Sequence, residues 1–225
     1  MSIFRRITSF FNIQPGEERL VGLLALLYFT MALGFVFVQS MAFGVFIAEY
    51  GSQGLPYSYI SIAFLASLVA WLYIKISGRI SFSHLLYLNL AFLGIVSLLI
   101  WLGLNSPFSH NTAFLLPLWF QVVANQGNLA VWSLAGRLFD FRQGKRLFPL
   151  LGAGLWLGNI IGGLLVPSLV SFMGATNLLV LAAASFGTSL FVVRAISRSY
   201  LQQSSTGPQS RRPARPGRRA RRSWC

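Results

Sequence analysis

The side chains best suited to bind a solute form a polar row in an apolar stretch: Gln121, Asn125, Asn128 and Trp132. Their spacing of four, three and four residues puts them on one face of a helix. An earlier apolar stretch contributes a second polar point, Gln39 and Ser40. Amides within a bilayer are tolerated only where they face protein or water, so we expect this face to point inward. The residues can line a solute path or hydrogen-bond to a neighbouring helix at about 0.6–2 kcal/mol each, and the sequence leaves both roles open.

A second group of residues combines one acid with several bases between two apolar stretches. It comprises Gly136, Arg137, Asp140, Arg142, Gly144, Lys145 and Arg146. In a helix–loop–helix junction, Asp140 can pair with Arg137 or Arg142, and the bases can neutralise carbonyls at a helix C-terminus. Such a pair can form in one state of a rocking protein and break in the other, which makes this loop a candidate cytoplasmic gate. The alternative is a basic loop with one incidental Asp.

A row of glycines indicates helix packing. Gly154, Gly158 and Gly162 recur every four residues in the fifth apolar segment. Small residues at this spacing let another helix approach closely. We therefore predict that this face is a packing surface.

Residue combinations typical of catalysis are missing from the sequence. His84 and His110 lie at the predicted membrane boundaries with no paired carboxylate, and the single Cys225 excludes an intrachain disulfide or a cysteine metal site. The glycines of the fifth segment lack the preceding strand and the following acid of a dinucleotide-binding motif. We expect neither an enzyme nor a bound cofactor or metal.

These residues must be positioned by helices that cross a membrane. The sequence is 55% hydrophobic and 10% charged, against about 25% charged in a soluble domain. A helix of about 20 apolar residues crosses the hydrocarbon core, and the long charge-free stretches hold six such segments. The sequence therefore predicts an all-α polytopic membrane bundle with spans at 20–48, 55–75, 84–104, 113–136, 147–166 and 177–196.

The 18 Lys and Arg sort to one side of this bundle. With six crossings, the turns at 49–56, 105–112 and 167–177 share one side and contain none of these residues. Because Lys and Arg concentrate in cytoplasmic loops, the sequence predicts a multi-pass protein of the cell (inner) membrane with both termini in the cytoplasm.

The two ends of the chain differ from the bundle. We expect an interfacial N-terminal segment at 1–16, the six-helix domain at 17–200 and a disordered basic tail at 201–225. The Arg-rich tail suits anionic lipid headgroups, at about 1 kcal/mol per basic residue. Nucleic acid is a weaker alternative as its partner, and an out-of-frame read of GC-rich DNA is a third explanation of its composition.

Part of the sequence resembles known transporters. Residues 136–146 resemble the loop signature G-x-L-x-D-R-x-G-R-R of the major facilitator superfamily, with Phe141 as an extra residue. Residues 15–17, 55–57 and 136–154 resemble the ATP/ADP translocase (nucleotide transporter) family. The resemblance implies half of a major-facilitator-type fold, built as three plus three inverted helices, and an ancestry in nucleotide exchange.

These observations favour an integral membrane transporter-like protein, half of an alternating-access carrier or one partner in it. Its partners would be the lipid bilayer, a nucleotide or another small solute, and a second half or a second copy of the chain. The alternative is a transport-inactive membrane anchor or sensory scaffold derived from the same fold. It is motivated by residues 36–41 of the first span, which hold none of the cations that phosphate groups need.

Overall fold

The computed structural model describes residues 18–77, 81–139 and 141–198, and all regular structure in these ranges is helical. The α-helices are α1 Glu18–Tyr50, α2 Leu55–Ser77, α3 Phe82–Leu104, α4 Ser109–Leu138, α5 Phe141–Met173 and α6 Leu178–Ile196. The predicted all-α class is confirmed for these residues. The predicted N-terminal segment at 1–16 and the basic tail at 201–225 lie outside the described residues.

Five of these helices are long and apolar enough to cross a membrane: α1, α2, α3, α6 and the part of α5 from Leu147 onward. The helix α4 has sufficient length, at 30 residues, but it is not among the five. Its several amides, such as Gln121 and Asn128, lower its apolar character. The helices are those of a membrane protein, and the crossing predicted at 113–136 stays a prediction.

Two predicted loops are shorter than the sequence indicated. A loop was expected at 136–146, but α4 continues through Arg137 to Leu138 and α5 begins at Phe141. A turn was expected at 167–177, but α5 continues through Pro167 to Met173. A helix can extend past the apolar run, and proline is tolerated in membrane helices where neighbouring groups satisfy the freed carbonyl. The end of an apolar segment therefore did not mark the end of its helix.

The centre of the bundle is α1. It packs against α4, α5 and α6, whereas α3 packs against α4 and α6, and α2 packs mainly against α4. Residues such as Leu24, Met31 and Phe46 of α1 are fully buried. In α2, by contrast, Ser58 is the one buried residue between 55 and 76. The core thus surrounds α1, and α2 lies at its edge.

Contacts between named residues give the directions of the helices. Tyr28 contacts Trp132 and Tyr50 contacts His110, so α1 and α4 are antiparallel. Gly154 and Gly162 of α5 lie beside Ala25 and Val36 of α1 respectively, so these two helices are parallel.

The main helix contacts also form a repeating pattern. They remain the same when α1, α2 and α3 are exchanged for α4, α5 and α6. The α1–α5 contact corresponds to α4–α2, the α1–α6 contact corresponds to α4–α3, and the contacts α1–α4 and α3–α6 map onto themselves. Because α1 and α4 run in opposite directions, the described bundle has the contacts of two three-helix units of inverted orientation.

Charged side chains divide between the two ends of the bundle. Lys75, Arg137 and Arg194 occupy the last turns of α2, α4 and α6. Glu49 lies at the opposite end, where its carboxylate is 3.4 Å from the imidazole Nδ1 of His110. The expectation that His110 has no paired carboxylate is therefore wrong, because the end of α1 packs beside the start of α4. Glu18 lies in the first turn of α1, which is at the same end as the three cations. Among the described residues, Lys and Arg are therefore confined to one end of the bundle, whereas Glu occurs at both.

The helices α1 and α5 end in the same kind of turn. Gly51 has a φ of 64° and Gly174 a φ of 87°, a conformation that favours glycine because side chains are strained there. Their backbone N–H groups donate to the carbonyls of Ile47 and Val170, at 2.9 Å in each case. Each glycine leads into a 3₁₀ turn, Ser52–Gly54 or Ala175–Asn177. Both turns lie at the end opposite the basic residues.

Candidate functional site

The polar row predicted in the fourth segment lies on the surface of the described bundle. Asn125, Asn128 and Trp132 are exposed, and Gln121 is half-buried. The face therefore does not point into the core formed by these six helices. It is available to water or to a further protein surface.

The second polar point, Gln39 and Ser40, lies at a similar depth in the bundle to the polar row of α4. The contact pairs Tyr28–Trp132 and Tyr50–His110 set the antiparallel register of α1 and α4. By this register, Gln39 is level with Gln121. Gln39 is exposed and Ser40, its neighbour in the chain, is half-buried. Gln121, Asn125, Gln126 and Asn128 occupy the middle third of α4, so the polar residues of both helices lie near mid-depth.

A groove of about 420 Å³ runs between α2 and α4. The wall from α2 is apolar and contains Ala66, Val69 and Ala70. The wall from α4 contains Asn125, Gln126, Asn128, Trp132 and Ser133. Three of the four predicted residues of α4 thus share one cavity, whereas Gln121, Gln39 and Ser40 are not part of its lining.

Hydrogen bonds within α4 leave both donors and acceptors in this groove. The Gln121 amide donates to the Asn125 side-chain oxygen at 3.4 Å, and the Asn128 amide donates to the Ala124 carbonyl at 2.8 Å. The Asn125 nitrogen and the Asn128 oxygen therefore remain available. Amides can satisfy up to four hydrogen bonds, so the groove can accommodate a polar solute.

Gln126 is the most unusual residue of the groove. It is only 6% exposed, and its side-chain oxygen has no hydrogen-bond partner among the described residues. Its backbone carbonyl accepts from the Asn89 side chain of α3 at 3.0 Å. A buried acceptor without a partner is destabilising, so such groups in proteins usually have a bound partner or a functional role.

Aromatic rings hold Trp132 in place. Its ring is edge-on to Tyr28 of α1, with 5.6 Å between centroids, and edge-on to Phe148 of α5 at 5.7 Å. Edge-to-face pairs at these distances are favourable. Because Trp132 is anchored on two sides and is still 42% exposed, it provides a fixed aromatic surface at the groove.

The predicted gate residues are only partly described. Gly136 and Arg137 belong to the last turn of α4, where the Arg137 guanidinium lies 4.1 Å from the centre of the Phe82 ring. Gly144 is buried within the first turns of α5. Asp140 and the side chains of Arg142, Lys145 and Arg146 lie outside the described residues. The ion-paired gate stays a prediction.

The glycine row of α5 lies directly against α1. A β-carbon added to Gly158 would be 2.6 Å from the Ala32 β-carbon, and one added to Gly154 would be 2.9 Å from the Ala25 carbonyl oxygen. At Gly162 the nearest atom would be 3.2 Å away. We call this contact the α1–α5 seam. Its close approach depends on the absence of side chains at these positions.

The sequence reasoning missed three contributors to this region. Gln126 falls outside the predicted row, and the sequence pattern indicates neither Tyr28 nor Asn89 as part of the site. The amides at 125–128 do indicate Gln126, because Asn125 and Asn128 flank it within an otherwise apolar part of the helix. Nothing in the sequence indicated that Asn89 would reach α4.

Within the part of the chain that the structure describes, no group of three or more His, Cys, Asp or Glu side chains is arranged to hold a metal ion. No protein-family model, curated protein or solved structure matches this chain.

Proposed function

We propose that this chain is one half of an alternating-access solute carrier of the major facilitator type, related to ATP/ADP exchangers. The observation that carries the proposal is the exposed amide face at the middle of α4. An amide that faces hydrocarbon loses its hydrogen bonds to water at a cost of several kcal/mol. The face must therefore meet water or protein, as the wall of a solute path would.

The contact pattern of the helices supports the same function. Secondary transporters are commonly built from inverted repeats, with the substrate site near the middle of the membrane. The exchange of α1–α3 with α4–α6 preserves the main contacts, and the polar residues lie near mid-depth. Since the amide face of α4 is at the surface of the unit, a second half or a second copy of the chain would complete the path.

The charge distribution supports an orientation. Lys75, Arg137 and Arg194 lie at one end of the helices, and positively charged residues favour the cytoplasmic side. We therefore propose that this end lies on the cytoplasmic side of the cell (inner) membrane. Both termini would lie on that side if α4 also crosses the bilayer.

Cysteine labelling tests whether the amide face meets water. In a Cys225→Ser background, Asn128→Cys should react with a membrane-impermeant thiol reagent at least tenfold faster than Ile160→Cys. Ile160 is a matched control because it is 56% exposed and lies two residues from Gly158, which contacts Ala32 at the depth of Asn128. Only the thiolate reacts, and it forms in water rather than in hydrocarbon. Equal rates at the two positions in membranes would contradict a wet path.

A transport-inactive anchor or sensory scaffold is the second candidate. The same amide face would then be covered by a partner helix, and amides do bind neighbouring helices in membranes. Flux separates the two functions: proteoliposomes loaded with ADP would exchange labelled ATP above empty controls if the chain is a nucleotide carrier. Protection of Asn128→Cys in native membranes, relieved when detergent separates the partner, would favour the scaffold.

A further inference from the structure

The groove between α2 and α4 has the dimensions of a small-molecule site. Its volume of about 420 Å³ lies within the range of about 300–1,000 Å³ that small ligands occupy. One wall is apolar and the other carries a few polar groups, which is the usual composition of such sites. The chemistry of these walls restricts what can bind.

The polar wall offers hydrogen-bond acceptors to a solute, besides the free Asn125 nitrogen. The side-chain oxygen of Gln126 is buried and has no partner among the described residues, and Gln126 lines the groove. The Asn128 oxygen is a second acceptor, because its amide nitrogen is used by the Ala124 carbonyl. A solute with an N–H or O–H group can donate to the Asn128 oxygen. The Gln126 oxygen is itself buried, so a rotation of this side chain towards the groove would be needed for the solute to satisfy it as well.

The remaining walls call for a flat solute. Trp132 is held by rings on two sides and keeps 42% of its surface exposed. Ala66 and Val69 form the opposite wall. An aromatic face across from small aliphatic side chains favours a planar ring, which can stack on the indole.

The charges of the molecule lie outside the groove. None of its ten lining residues is charged. Arg137 is four residues beyond Ser133, or about 6 Å along the helix, and Lys75 is five residues beyond Ala70, or about 7.5 Å. Both cations lie over aromatic rings, Lys75 at 3.9 Å from the centre of Trp71 and Arg137 at 4.1 Å from that of Phe82. No residue that lines the groove would therefore give an anionic group a cationic partner.

We infer that this groove binds an uncharged, planar solute that carries hydrogen-bond donors. The inference deepens the proposed function and rests on it, because it names the class of solute that the path admits.

Matched neutral and anionic probes test the inference on the full chain in lipid nanodiscs. Nicotinamide is compared with nicotinate, and uracil with orotate, which carry a carboxylate on the same rings. Equilibrium binding of the radiolabelled compounds should be saturable for nicotinamide or uracil and at least tenfold tighter than for the anionic counterpart. The absence of saturable binding by both neutral probes, or equal or tighter binding of the anions, would overturn the inference.

Substitutions locate the binding in the groove. Loss of one neutral hydrogen bond corresponds to about fivefold weaker binding, so Gln126→Leu should weaken the neutral probes by about that factor. Asn159→Leu is the control, since Asn159 donates within its own helix to the Leu155 carbonyl and does not line the groove. Ala70→Trp fills the groove from the exposed edge helix and should abolish binding without disturbing the core. Unchanged binding in both groove variants would overturn the inference.

The outcomes separate this inference from the proposed function. Saturable binding of a neutral probe without flux of that same probe in proteoliposomes would contradict transport and retain the groove as a binding site. Flux of labelled ATP or ADP without binding of either neutral probe would retain transport and overturn the groove as the site of an uncharged solute.

Discussion

The α1–α5 seam and the α2–α4 groove occupy corresponding positions in the repeating contact pattern, yet one is closed and the other open. In the seam, Gly158 approaches α1 so closely that an added β-carbon would contact Ala32 and the Phe29 backbone. In the groove, about 420 Å³ remains between the helices. Two equivalent helix pairs thus have opposite packing.

The difference lies in the helix that faces the small residues. Both α5 and α2 present small side chains four residues apart, glycines in α5 and Ala66 and Ala70 in α2. The seam meets Ala25 and Ala32 on α1, whereas the groove meets Leu129 and Trp132 on α4. Small residues on one helix do not suffice for close approach. The approach is closest at Gly154 and Gly158, where α1 presents Ala25 and Ala32, and less close at Gly162, where it presents Leu33 and Val36.

The largest expected effect comes from forcing the seam open. Gly158→Leu should lower the free energy of unfolding by about 3 kcal/mol, because the new side chain overlaps α1 and overpacking strains the core. Gly163→Leu is the matched control, since an added β-carbon there has no atom within 4 Å. Thermal unfolding in detergent, followed by circular dichroism, should show a clearly lower unfolding midpoint for Gly158→Leu and not for Gly163→Leu. Similar midpoints for both variants would argue against the seam.

The next largest effect comes from removing the aromatic wall of the groove. Trp132→Ala should cost about 2 kcal/mol, because it deletes two edge-to-face contacts that join α4 to α1 and α5. Trp156→Ala is the control: Trp156 is 69% exposed on α5. The same unfolding assay compares them. If Trp156→Ala is as costly as Trp132→Ala, the anchoring of Trp132 has been overestimated.

A smaller effect of opposite sign is expected at Gln126. Gln126→Leu should raise the unfolding free energy by about 1 kcal/mol in the absence of solute, because it removes a buried acceptor that has no partner. Asn159→Leu should not stabilise, since it removes a hydrogen bond to the Leu155 carbonyl at 2.9 Å. A lower unfolding midpoint for Gln126→Leu would indicate that its side chain is already satisfied in the protein.

The smallest effect is expected from adding volume to the open pair. Ala70→Leu should change the unfolding free energy by less than about 0.5 kcal/mol, as exposed positions usually do. The contrasting substitution is Ala32→Leu in the seam, where Ala32 is fully buried. If both substitutions prove equally damaging in the unfolding assay, the groove is closed in the folded protein.

The sequence predicted the helices better than the site. Long charge-free stretches depend only on local composition, so the number and approximate position of the helices followed from them. The polar row at Asn125, Asn128 and Trp132 was also recognisable from helical spacing. Which neighbour each face meets depends on packing between distant segments, so neither the exposure of that row nor the contact of Asn89 with α4 could be predicted.

The paired glycine turns limit how far apart the helices that they join can lie at that end. Gly51 and Gly174 each begin a connection of four residues, so α1 and α2, and likewise α5 and α6, stay close together at this end. If the angle between two such helices changes, the distance between them changes least at the turn and most at their opposite ends. Lys75 and Arg194 lie at those opposite ends. Any change in the angle would therefore displace these two cations far more than the glycine turns.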